Sequence, residues 1–525
     1  MEERVNRPRN LALAVMFVIL AAAFSTASDI YIAQNAAGGN TGADCADAHA
    51  ASWFNSAANW GSNAAQVGPG TTVHLCGTFT GSAGATMLNV QGSGSSGNPV
   101  IIQFESGAAL NAPYWSANGA ITCSNQNYIT IDGNNSGIIA NTNNGTNLTY
   151  QNPSKGVYFS NCSNAEVKNL TVQNLYQRVN DTSSNGSQTY GVYFDAGCDH
   201  IKADGNTIFM SRNLIFVAYS SVTSAQIYNN TLDHSSWMIV MGDDNSGSSA
   251  SGVLIYGNTL GPHFNEWLDT AQTMHADGIM IFAANSGSSA TAQIYDNYIT
   301  GDMCSTPVVN CSGYIYTQGN SRTSIFNNVI YHTTSASNGP EAEIIIRGNS
   351  PGPAPSNMSV YNNTLVGQTS NTVGVKDGGG QAGTGLVVEN NIFLNLSVAM
   401  TFGPNSLSSL STSGPNDFFG NNSIAADNVD SGPENAFTTL ADWQGQGFDK
   451  NSSSGNPSLA NYMPQSGSAA IGIGANLTAL AITALDSDMA GVVRPTSGAW
   501  AAGAYQDPTS GSAPAPPTGL AAAVQ

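Results

Sequence analysis

Residues 261–278 read GPHFNEWLDTAQTMHADG and bring His263, Glu266, Trp267, Asp269, His275 and Asp277 into one short stretch. Charged residues make up only 9% of the chain, so three carboxylates beside two of its 7 histidines is an unusual concentration. Two carboxylates are what glycoside hydrolysis needs: one protonates the leaving oxygen, the other attacks carbon or activates water. Asp277 and Glu266 are the candidate acid pair, with Asp244 of the MGDDNSG segment as substitute and His275 placed to orient or tune Asp277. Trp267 offers an aromatic face to a sugar ring, and His263 and Asp269 are further candidate substrate contacts. Asp243 and Asp244 are a candidate calcium pair, since calcium takes oxygen ligands from acidic loops. Each feature also has a purely structural reading. GDDNSG is an Asx-rich turn, Asp277 before Gly278 can bond its own backbone, and Trp267 can cover the small core of its own loop.

The elements that must position these residues repeat along the chain. The segments IKADGNTIF, QIYNNTL, LIYGNTL, QIYDNYI, SIFNNVI, SVYNNTL and VVENNIF align on Asn206, Asn230, Asn258, Asn297, Asn328, Asn363 and Asn391. Successive spacings of 24, 28, 39, 31, 35 and 28 residues are those of a solenoid. Apolar and polar residues alternate within each unit, which is the strand period. A second strand series follows the turns: GVYF, GVYF, LIFV, MIVM, GIMIF, GYIY and EIIIR. Two or three short strands per coil, with Gly-, Asn- and Ser-rich turns, predict an all-β fold, a parallel β-helix whose coils stack about 4.8 Å apart. Asparagine suits the turn because it tolerates a left-handed backbone and its stacked amides can bond along the ladder. The 39-residue spacing marks the largest coil, and residues 261–278 are its insertion.

Composition narrows the function classes. Arg4, Arg7 and Arg9 precede an apolar run from Leu11 to Phe24 and small residues at 25–27, the pattern of a signal peptide over 1–28. No later stretch approaches membrane-spanning length, so a secreted, extracellular protein with no membrane span in the mature chain is expected. A net charge of −20 with 13 Lys and Arg argues against nucleic acid as partner. All 7 cysteines follow the signal, which suits disulfide bonds. Cys304 with Cys311 is expected to staple one loop and Cys45 with Cys76 an N-terminal cap. Cys123, Cys162 and Cys198 recur at coil spacing, and one thiol is left over. Residues 508–525, DPTSGSAPAPPTGLAAAVQ from Asp507 on, read as a Pro- and Ala-rich linker or the start of a fibronectin type III-like module.

Residues 29–507 resemble the secreted right-handed parallel β-helix proteins of the pectate-lyase-like superfamily. DIYIAQNAAGGNTG and VGPGTTVHLCGTFTG resemble the N-terminal cap and first coils of bacterial members; YMPQSGSAAIGIGA and LDSDMAGVVRPTSGAWAAGAYQ resemble their C-terminal closing segment. That resemblance implies the fold but not one chemistry, because the scaffold hosts lyases, hydrolases, epimerases and adhesins. EIIIRGN resembles the arginine strand of alginate- and chondroitin-lyase β-helices, which makes Arg347 a candidate substrate contact. Those families carry a lysine on the preceding coil, where this chain has Gln318 and Arg322; Lys202 and Arg212 lie coils away. The polygalacturonase pattern is absent, since GDD precedes HADG and no RIK segment follows. The leading expectation is a monomeric carbohydrate-active enzyme that degrades an extracellular polysaccharide by hydrolysis. The alternatives are a lyase for a uronate-containing glycan, using Arg347 and Ca²⁺, and a non-catalytic glycan-binding or adhesin-like protein.

Overall fold

A computed structural model describes residues 29–178, 185–186, 188–264, 267, 275–304, 311–335, 339–403, 406–427 and 434–506. The signal peptide over 1–28 and the linker over 508–525 lie outside the described residues. Among the described residues the strands fall into three long sheets of 15, 12 and 13 strands, beside one short antiparallel pair, Leu459–Ala460 with Met463–Pro464. Neighbours within the long sheets pair in parallel with offsets of one coil, apart from an antiparallel pair at one end. Each coil therefore contributes one short strand to every long sheet, and the chain is the expected parallel β-helix.

The aligned asparagines stand where the first sheet bends into the second. In the coil of Asn297 the flanking strands are Ser289–Tyr295 and Tyr298–Gly301. The structure divides the two properties of asparagine between adjacent positions. The residue before each ladder asparagine takes the left-handed backbone: Gly205, Asn229, Gly257, Asp296, Asn327, Asn362 and Asn390 all have φ between 50° and 63°. The ladder residue itself is buried and bonds along the stack. Asn297 Nδ2 donates to Asn328 Oδ1 at 2.9 Å and to the Ile255 carbonyl at 3.0 Å. Its Oδ1 accepts from the backbone and side-chain nitrogens of Asn258 at 3.1 and 2.9 Å. Asn206, Asn230, Asn258, Asn328, Asn363 and Asn391 repeat the arrangement, and Asn416 extends it.

Inside the coils, one apolar core runs from the N-terminal cap to Trp443 near the far end. The cap is the short helix Ala51–Phe54, with Phe54 buried against Trp60 and Cys45 bonded to Cys76. Cys162–Cys198 joins adjacent coils and Cys304–Cys311 closes the expected loop; Cys123 is the thiol left over, buried. At the other end Trp443, on the capped helix Leu440–Gln444, stacks on Phe402. The closing segment does more than plug that end, since it folds back along the outside of earlier coils. Leu477, Leu485 and Trp500 pack on Phe326 and Tyr361, and the buried Arg494 donates to Asn327 Oδ1 at 2.9 Å.

Replacing Asn297 by Ala leaves buried donors on Asn258 and a buried acceptor on Ile255 without their partner. Each such orphan costs on the order of 1–3 kcal/mol. Urea denaturation should show Asn297→Ala destabilised by about 3 kcal/mol, whereas Asn245→Ala in an exposed turn should stay within about 0.5 kcal/mol of the parent.

Candidate active-site cleft

The third sheet contains strands of up to 7 residues, and its outer face carries the polar chemistry. Parallel register sets Val240, Met280, Tyr316, Ile345 and Lys376 in one row across five coils. Their neighbours along the strands, such as Ile279, Ile281, Ile315, Ile344 and Ile346, belong to the interior. Alternation thus sends the row outward, where Val240, Met280, Tyr316, Ala342 and Ile345 form a second apolar cluster. Two residues along, a parallel row holds Phe282, Gln318, Arg347 and Gly378.

The two rows meet at a cleft of about 330 Å³ lined by Glu341, Ile345, Arg347, Lys376 and the run Gly378 to Gly380. Lys376 Nζ lies 2.7 Å from Glu341 Oε1, and Arg347 Nη1 lies 4.0 Å from Glu341 Oε2. Gly379 has φ +105°, and a Cβ there would come within 2.6 Å of Arg347 Cγ. The glycine run therefore leaves room for the arginine stem against the neighbouring coil. Tyr316 donates its hydroxyl to Gln318 Oε1 at 2.7 Å. Burial pushes the Tyr316 phenol up to about 12, with Arg347 opposing the rise and Asp277 and Glu341 adding to it.

At the edge of the same sheet, Asp277 opens the strand Asp277–Phe282 and pairs with Trp237 of the previous coil. Its backbone N–H donates to the Ser236 carbonyl at 2.7 Å. Asp277 Oδ2 is 2.5 Å from His275 Nδ1, yet neither carboxylate oxygen is aligned for a hydrogen bond. Trp237 Nε1 and Ser312 Oγ also approach His275 Nδ1, at 3.4 and 3.5 Å. Three groups therefore converge on that nitrogen. The Asp277 side chain is 0% exposed. It is enclosed beside His275, so the structure does not place it as an open acid or nucleophile.

Other expected site residues are placed elsewhere. Glu266 and Asp269 lie outside the described residues. Trp267 is fully buried, tilted against Tyr176 with the Arg178 guanidinium over its ring, and donates to the His234 carbonyl at 3.2 Å. Its faces are occupied by protein, so it is a core residue and not an open sugar platform. Asp243 sits at the far end of its strand from the position paired with Asp277. Both its oxygens accept backbone N–H groups of the next coil, from Ala284 at 3.1 Å and Asn285 at 2.8 Å. Asp244 is exposed and accepts from the Asn245 amide at 2.6 Å. These two acids organise a turn and do not converge on Asp277. His263 is engaged by Asp233 and His234 rather than by the Tyr316–Arg347 rows. Arg347 is partly exposed and lines the cleft.

Lys376, Glu341 and Tyr316 are not singled out by sequence reasoning, which notes Gln318 only as standing where a lysine is sought. The lysine sought on the coil before Arg347 is on the coil after it: Ile345 pairs with Lys376. The segment GVKDGGG continues the second strand series one coil beyond EIIIR, and extending that series would have found it.

No protein-family model and no curated protein matches the sequence. Among solved structures, the chain is similar to pectate lyase Pel9A at 12% identity and TM-score 0.44, covering 92% of this chain and 98% of that one. A GH136 lacto-N-biosidase from Eubacterium ramulus gives 13% identity and TM-score 0.43 over 70% of this chain and 65% of that one. The alginate lyase AlyF-OU02 in complex with G6 gives 14% and 0.38 over 67% and 78%. Likeness at this level concerns the solenoid and not its chemistry.

Asp377, next to Lys376 but turned inward, carries a further consequence. Burial raises its carboxyl from 3.8 to about 6, opposed by the Ser409 hydroxyl that bonds it. A folded pKa above the unfolded value means stability that is complete below 3.8 and lost as pH rises through about 6. Asp417, raised to about 6 by burial, acts in the same sense. The contribution of these two carboxyls to the thermal midpoint should therefore fall as pH rises from about 4 to about 6, and Asp377→Asn should flatten that part of the pH dependence in scanning calorimetry.

Proposed function

We propose that the protein is a carbohydrate-active enzyme acting on an extracellular polysaccharide, and that its cleft cleaves a uronate-bearing glycan by elimination. The observation that supports this is the meeting of Arg347 and Lys376 from adjacent coils around one carboxylate, that of Glu341. Cations are scarce in this chain, and two of them facing one acid in a glycine-lined cleft suit recognition of a second carboxylate on a sugar. The disulfides Cys45–Cys76, Cys162–Cys198 and Cys304–Cys311 suit an oxidising, extracellular setting.

Elimination requires three acts. Arg347 and Lys376 offset the charge of the uronate carboxylate, which makes the adjacent C–H bond more acidic. His275, whose Nδ1 lies beside the Asp277 carboxylate, takes that proton on Nε2. The C–H electrons form the new carbon–carbon double bond, the glycosidic C–O bond breaks, and the leaving oxygen takes a proton from Tyr316. A phenol held protonated by its surroundings suits the last role. Hydrolysis by Asp277 with Glu266 is the second reading of the same region; the enclosure of Asp277 is what favours elimination over it.

The test is a panel of neutral and uronic polysaccharides, with ultraviolet absorbance of unsaturated uronates and reducing ends measured together. Unsaturated products from a uronic glycan are expected, and Arg347→Ala and Lys376→Ala should each lower kcat about 100-fold or more. Reducing ends without unsaturation would establish hydrolysis instead. Silence on every glycan would leave a binding protein.

A further inference from the structure

Outside the cleft, a different cluster stands at the start of the insertion. Asp233 ends the strand Thr231–Asp233, and His234 follows with a left-handed backbone, φ +50°. One coil on, His263 lies beside them, and the two imidazoles stack with centroids 4.0 Å apart and planes 9° from parallel. His263 Nδ1 is 2.9 Å from Asp233 Oδ2, and His234 Nε2 is 3.6 Å from the same oxygen. One ligating atom from each of the three side chains lies within 4.8 Å of the other two.

The geometry points to a binding site for a divalent transition-metal ion of the zinc class, held by Asp233, His234 and His263. Zinc binds imidazole nitrogen and carboxylate oxygen at about 2.0–2.2 Å in tetrahedral geometry, which places its ligand atoms about 3.4 Å from one another. The observed separations of 2.9 and 3.6 Å from Asp233 Oδ2 bracket that value, and one imidazole turns out of the stack so that both nitrogen lone pairs meet the ion. The metal replaces the proton that His263 and Asp233 otherwise share.

The surroundings prepare these groups as ligands. Asp233 Oδ1 accepts the backbone N–H groups of His234 and His263, both at 2.8 Å. One oxygen is thus fixed by the main chain and turns the other toward the imidazoles, as supporting hydrogen bonds do for metal-bound carboxylates. The main chains are tied as well: Ser235 N–H donates to the His263 carbonyl at 3.2 Å, and the buried Trp267 donates to the His234 carbonyl at 3.2 Å. Two imidazoles with one carboxylate select zinc, cobalt or nickel over calcium or magnesium, which prefer all-oxygen sets. Three protein ligands leave the fourth tetrahedral position to water or an external donor. Because Asp233 and His234 belong to one coil and His263 to the next, the bound ion would fasten the insertion to the coil beneath it.

The experiment uses untagged full-length protein freed of metal by a chelator, titrated with Zn²⁺ and separately with Co²⁺. Calorimetry should give one zinc per chain and a raised thermal midpoint, and cobalt should develop the visible bands of a tetrahedral ion. X-ray absorption at the zinc edge should show nitrogen and oxygen neighbours with imidazole outer scattering, a readout that needs no variant. His234→Ala and His263→Ala should each weaken zinc binding ~100-fold, while His200→Ala, remote and bonded to Asp199, should bind as the parent does. Absence of saturable binding at one ion per chain overturns the assignment. So does binding that survives loss of either His234 or His263, or an absorption spectrum without imidazole scattering.

Discussion

The buried asparagine ladder is the interaction on which the rest of the molecule depends. A bend between two sheets would leave a backbone N–H and a carbonyl in every coil without a strand partner, inside a structure that excludes water. Each ladder amide supplies both partners: Asn258 Nδ2 bonds the Ile227 carbonyl, and Asn258 Oδ1 takes the Asn230 N–H. The side chain thereby continues the strand hydrogen-bonding pattern around a corner. Because every amide also bonds the next one, a coil can join only in one register. A one-residue slip would bury the outward row and expose Ile315 and Ile344.

Register fixed at the corner controls the face on the third sheet. The spacing between ladder asparagines varies from 24 to 39 residues, yet the strand pairs remain aligned. Extra chain goes mainly into the connections between sheets, and within the strands it is limited to local register shifts at Ala250/Val253 and Leu386/Val387. This is why Arg347 and Lys376, 29 residues apart in sequence, reach one carboxylate while Asp243 and Asp277 do not meet. With a net charge of −20, the molecule as a whole repels polyanions, so attraction for a uronate must be local. A half-enclosed cleft meets that need, since screening there is weaker than on an open surface.

The fold was legible because periodicity is a collective property: seven asparagine units and seven second strands outvote any one irregular coil. The disulfides Cys45–Cys76 and Cys304–Cys311 were legible for a related reason, as each pair brackets a single local feature. The site was only partly legible. His275 and Asp277 do lie together, but alternation along a strand does not say whether a terminal residue is enclosed, and Asp277 is. Trp267 misled because residue type says what a ring can do, while its occupied faces are a matter of which coil packs over it. Lys376 escaped notice because the coil direction was taken from a resemblance, when the pairing of Ile345 with Lys376 was implicit in the strand series.

The insertion itself shows how a repetitive scaffold acquires a unique site. Its first part is tied down through His263, whose N–H bonds Asp233, and its last part through Asp277, whose N–H bonds Ser236. Asp233 and Ser236 stand three residues apart on the same coil, so both ends of the excursion are anchored to one short piece of the layer beneath. Among the described residues, the His263 cluster and the His275–Asp277 pair occupy those anchors. A side chain at an anchor inherits its position from the strand ladder, with its backbone already bonded before any ligand arrives. That is the preorganisation a reactive group needs, and it follows from placing chemistry at the junction of loop and strand.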